Sequence, residues 1–214
     1  MVNLPIWVSD SFTNALKKYL NNENVEIVEY TSSIAIPVGS NYTTDIFRAI
    51  ITYTTGRTEN KEKNSLSVII KVCPNDELLI NYDKQMRLFE QEITFYTEVL
   101  PHMHKILGEE KMLAARCLSF LEEPRPAILL EDLSAAGFQM HSRQHGLDLD
   151  HCLFTVQTLA RFHATSAVLH EKNALLINRY NLGIFWNNPF TSRWIAIGFD
   201  ALAKACIKWP GEFL

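Results

Sequence analysis

The chain changes character near residue 134, and that change limits the folds open to it. Up to there, β-branched runs surround one strong helical pattern; beyond it, nearly everything reads helical. This segregated order suits an α+β chain. The strand-like runs are Val25 to Ile36, Thr44 to Tyr53, Ser65 to Val72, Arg116 to Leu121 and Ala127 to Leu133. Ser9 is read as the cap of a first helix carrying Phe12, Leu16, Tyr19 and Leu20. The best-defined helix runs from about Asp83 to Leu100, with Pro101 as its stop. Asp148 or Asp150 caps a long helix reaching about Lys172, and a last helical pattern covers Ser192 to Ile207. Two units follow, residues 1–133 and 134–214.

Composition removes several function classes. A net charge of −4 with no basic tail suits nucleic acid poorly, because phosphate neutralisation supplies much of that affinity. No stretch approaches the roughly 20 apolar residues of a membrane span. The segment Met1 to Trp7 has no basic region ahead of its short apolar run, so a secretory signal is not expected. Cys73, Cys117, Cys152 and Cys206 are widely spaced and never form a CxxC pair. They read as reduced, mostly buried thiols, and the expected compartment is the cytoplasm.

Two charged residues stand in apolar surroundings. Lys71 ends the run Val68-Ile69-Ile70, which is apolar enough for a central strand. Such a lysine either reaches solvent or meets an anion, since an unpaired buried ammonium is costly. Glu92 falls inside the arc formed by Phe89, Ile93, Tyr96, Val99 and Phe95 at 100° per residue. It is either a rim carboxylate turned to water or the partner of a cation, for which Lys71 on the preceding element is the natural candidate.

Gly39-Ser40-Asn41-Tyr42 lies between two strand-like runs. It reads either as an ordinary hairpin turn or as a loop whose N–H groups cover phosphates. The run Ile128 to Leu130 ends in Glu131, Asp132 and Leu133, where backbone groups of a hinge would meet a nucleobase edge; it equally suits an edge strand entering a loop. His145-Gly146-Leu147-Asp148 has the wrong spacing for a catalytic HGD loop, and helix capping accounts for Asp148. His163 reads as a core histidine bonded to backbone. His102 and His104 lack a third ligand nearby, so no metal site is expected.

Taken in order, these segments resemble the ecdysteroid kinase-like family of insects, relatives of choline kinases and aminoglycoside phosphotransferases. The resemblance rests on Pro5-Ile6-Trp7, Gly39 to Tyr42 with Arg48 following, and Ile69-Ile70-Lys71. It continues through Phe89 to Tyr96 with Leu100-Pro101, Leu129 to Leu133 with Gly137-Phe138, and Leu159 to Ser166. It implies a protein-kinase-like two-lobed fold. The first lobe would be an antiparallel sheet with its helix, and the second helical and incomplete. It also implies that Lys71 binds the α- and β-phosphates of ATP, that Glu92 pairs with it, and that Gly39 to Tyr42 cover the phosphates. Backbone at Glu131, Asp132 and Leu133 would hold adenine.

The acceptor implied is a hydroxyl of an ecdysteroid or similar small molecule, or else choline or ethanolamine. ATP and Mg²⁺ are the implied cofactors, and a monomer is expected if the chain is complete. The family pattern also contains an HGD-type loop supplying a base and a DFQ-like segment holding Mg²⁺, and neither occurs here. The resemblance therefore implies a catalytically incomplete piece of such an enzyme, or a non-catalytic nucleotide- or partner-binding product.

Overall fold

The computed structural model describes residues 4–36, 44–56, 62–108, 112–142, 144–181 and 189–209, with Phe190 described in its backbone only. The chain forms two compact units, Met1–Ile177 and Asn178–Leu214.

The first unit is α+β, built on a five-stranded antiparallel sheet. Its strands are β1 (Val25–Ile34), β2 (Asp45–Thr55), β3 (Glu62–Val72), β4 (Cys117–Leu121) and β5 (Ala127–Glu131), in the order β1-β2-β3-β5-β4. The Ser65 to Val72 run is thus the second half of the middle strand. Its alternation divides the side chains between two faces. Val68, Ile70 and Val72 pack with Ala49, Ile51 and Leu129 against Phe12 and Leu16. Those two residues belong to α2 (Phe12–Leu20), which follows the single turn α1 (Ile6–Ser9). No side-chain hydrogen bond caps α2; Ser9 instead bonds back to the Ile6 carbonyl. Ile69, Ile128 and Leu130 face the other way, toward Phe89 and Ile93. β5 is buried from Ala127 to Leu130 because both faces are covered.

The helical stretch after β3 departs from the expected single helix. It starts at Glu77, where the Asp76 side chain accepts from the N–H groups of Leu78 and Leu79, and α3 (Glu77–Met86) ends at Arg87. Arg87 has φ 54°, a left-handed conformation that breaks the helix. α4 (Leu88–Thr94) then resumes, its Phe89 N–H donating to the Asp83 carboxylate at 3.0 Å across the break. A π-turn, Phe95–Val99, leads into α5 (Leu100–Leu107), so Pro101 is not a stop. Proline has no N–H for the carbonyl four residues back, and the wider turn just before it lets the helix continue.

After β5 the chain turns at Gly137 and reaches α6 (Leu149–Lys172), which Asp148 caps through the His151 N–H at 2.8 Å. The short α7 (Ala174–Asn178) follows. Buried positions of α6 are Thr165 and Leu169, whereas Leu153, Phe154, Val156 and Leu159 are exposed. His163 is exposed as well, which corrects its reading as a core histidine. The cysteine expectation also needs correction: all four thiols are free, but only Cys73 is buried and Cys117 half-buried, while Cys152 and Cys206 are exposed. Burial pushes the Cys117 thiol to about 11, so it stays protonated at neutral pH. In the second unit, α8 (Pro189–Cys206) carries Trp194, Ile197, Phe199 and Leu202. Among the described residues no helix is long and apolar enough to cross a membrane.

Candidate functional site

Lys71 and Glu92 meet. Lysine Nζ lies 2.5 Å from Glu92 Oε1 and 2.6 Å from Oε2, a fork in which both carboxylate oxygens accept. Two periodicities put them there. Alternation along β3 gives Lys71 the face of Ile69, and α4 packs on that same face through Phe89 and Ile93. Glu92 lies next to Ile93 and three residues after Phe89, so its stem follows the apolar side of the helix while its head reaches the strand. The two side chains keep 23% and 29% exposure, which leaves the pair open to a ligand.

The pair opens on a cavity of about 300 Å³ lined by Thr44, Ile46, Lys71, Asp83, Leu88, Phe89 and Glu92. Ile46 is paired with Lys71 across β2 and β3, so the cavity floor is one antiparallel register step. Asp83 was not expected here. Burial pushes its carboxyl above the usual range, and the charges of Glu90 and Glu92 add to the rise, opposed by the Phe89 N–H. An acid with a raised folded pKa contributes stability that is full below its unfolded pKa and lost as pH rises through the folded one. At neutral pH the burial of this acid therefore costs stability. Asp83→Asn keeps an acceptor for Phe89 N–H and removes that cost. Its urea midpoint at pH 7 is expected to match or exceed the wild type's, with the difference shrinking toward pH 4. A lower midpoint at pH 7 would contradict this account.

A second cluster lies on the same sheet face. Asp132 is the first residue beyond the last β3–β5 pair, Val68 with Glu131, and it is 4% exposed. Its Oδ2 accepts from Arg48 Nε and from Ser67 Oγ, both at 2.7 Å. Its Oδ1 accepts from Arg48 Nη2 at 3.3 Å and from the Ser134 N–H at 3.1 Å. Burial alone would raise this carboxyl, but these bonds and the Arg48 charge outweigh it and hold it below the usual range. The sequence marked the backbone of residues 131–133 and passed over this side chain. Only the observed register, with Arg48 opposite Ile69, brings Arg48 to the face that Ser67 shares.

Beside Asp132, the Glu131 N–H donates to the Arg116 carbonyl at 2.8 Å, and Glu131 Oε2 accepts from the Arg116 N–H at 3.2 Å. The Leu133 carbonyl accepts from the N–H groups of Ala136 and Phe138. The Leu133 N–H has no partner among the described residues. Gly39, Ser40, Asn41 and Tyr42 lie outside the described residues. No group of three His, Cys, Asp or Glu side chains suited to a metal ion occurs among the described residues.

A middle-strand lysine forked to a glutamate on the helix packed beside it is the arrangement that protein kinases use. The model of the ecdysteroid kinase-like family matches residues 38–209, and the chain belongs to that family. No curated protein and no solved structure gives a significant match. Membership makes the chain kinase-like, in a family of small-molecule phosphotransfer.

Proposed function

We propose that this chain binds ATP on the α4 face of its sheet, as the nucleotide lobe of a phosphotransferase whose acceptor is a hydroxyl of an ecdysteroid or similar apolar metabolite. The Lys71–Glu92 fork carries the reading. Lys71 holds the α- and β-phosphates, and Glu92 keeps its ammonium aimed into the cavity. Adenine lies against Ile46 and Ile69, with its polar edge at the backbone of residues 131–133, where the Leu133 N–H stands available. Mg²⁺ bound with the nucleotide would supply charge neutralisation at the phosphates.

Thermal unfolding tests this directly. At about 100 times its dissociation constant a ligand adds about 2.7 kcal/mol, so saturating Mg-ATP should raise the Tm of the wild type by several degrees. Lys71→Ala should melt near the unliganded wild type and show no rise. The reading fails if the wild type does not respond, or if the variant responds equally.

A further inference from the structure

We propose that Asp132 is a positioning residue for nucleobase recognition: clamped by Arg48 and Ser67, it fixes the segment 131–133 against which the base is read. This rests on the proposed function, because it assumes that adenine meets that segment. The chain leaves the sheet at Asp132, where ladder hydrogen bonds stop supporting the backbone. At that point one carboxylate takes donors from three places: Arg48 on β2, Ser67 on β3 and the Ser134 N–H in the following turn. Glu131 is tied to Arg116 on one side, and the Leu133 carbonyl is tied to the turn on the other. Among the described residues, this bracing leaves the Leu133 N–H without a partner.

Stability alone explains the arrangement poorly. Apolar side chains of similar size often serve a buried site as well as an ion pair does, whereas a charged, multiply bonded group fixes one geometry. Hydrogen bonding to a planar heterocycle depends on such fixity, because the bond weakens steeply as its distance and angle leave the optimum. Arg48, Ser67 and Asp132 share a face with Ile69 and Lys71, so the clamp and the phosphate-binding lysine belong to one surface. Lys71 would grip one end of the nucleotide and the clamp would set the other.

The test compares two ligands on the full chain by calorimetry with Mg²⁺. ATP carries base and phosphates; inorganic tripolyphosphate carries phosphates alone. The wild type should prefer ATP. Asp132→Asn and Arg48→Lys should each lose about tenfold in ATP affinity, the worth of one misplaced hydrogen bond to the base, with tripolyphosphate affinity unchanged. Ser67→Ala should show a smaller loss of the same kind. A merely structural role would weaken both ligands alike or leave the preference for ATP unchanged, whatever happens to the melting temperature, and that result overturns the proposal. So does a wild type that binds the two ligands equally. Absence of ATP binding by the wild type instead overturns the proposed function, and this inference with it. Should Asp132→Asn fail to fold, Arg48→Lys decides the matter, because it keeps the charge and loses only the fork.

Discussion

Arg48→Leu is expected to destabilise the protein by about 3 kcal/mol at pH 7, the cost of leaving a buried carboxylate without its cation. The Asp132 side chain is only 3% exposed, and Ser67 and the Ser134 N–H remain to it after the substitution, so the loss should fall short of a fully stranded charge. The pH dependence identifies the cause. In the wild type the Asp132 carboxyl is held low, so its contribution is present above its unfolded pKa of about 3.9 and is lost as pH falls through the folded value. Without the guanidinium, burial prevails and the folded pKa rises above the unfolded one. The sign then reverses: stability is best at acid pH and falls as pH climbs through the folded pKa. Urea unfolding should therefore show the variant closest to the wild type near pH 4 and furthest from it at pH 7. An equal deficit at both would assign the loss to packing of the arginine stem. Combining Arg48→Leu with Asp132→Leu should recover most of the deficit at pH 7, since neither charge is then buried.

The same cluster marks where the sequence stops being legible. Strands were readable because β-branched runs bounded by turn residues leave few alternatives, and all five occur in the structure with ends shifted by a few residues. Lys71 and Glu92 were readable because two independent periods, two along the strand and 3.6 along the helix, placed a cation and an anion against one apolar layer. Nothing comparable marked Asp132. Its partners lie 84 and 65 residues away, on two strands whose pairing register the sequence alone does not give. The helix near Arg87 was misjudged for a related reason. The Asp76 cap lies ahead of the helix read from about Asp83, an arginine in the left-handed region carries no compositional mark, and the carboxylate of Asp83 that supports the break belongs to the preceding helix. Pro101 shows the opposite error, a strong local signal overruled by a π-turn that only the packed structure displays.

Removing Glu92 should weaken ATP binding although that carboxylate would touch no phosphate. In Glu92→Ala the ammonium of Lys71 loses both oxygens of the 2.5 and 2.6 Å fork. Nucleotide binding must then order the long side chain at the moment of contact, at a cost of up to about 2 kcal/mol in rotamer freedom. The expected loss in ATP affinity is about tenfold. Lys71→Ala removes the phosphate contact itself and should cost more, about 3 kcal/mol or a hundredfold, as befits a charge-assisted hydrogen bond. Stability should respond far less. Both side chains are about a quarter exposed, and pairs open to water contribute about 1 kcal/mol or less. The decisive comparison is the double variant. If Glu92 acts only by holding Lys71, then Glu92→Ala has nothing further to remove once Lys71 is alanine, and the double variant should bind ATP as Lys71→Ala does. Additive losses would mean that Glu92 reaches the nucleotide by a separate route. A Glu92→Ala variant that binds as tightly as the wild type would show that the fork does not prepare the lysine for phosphate.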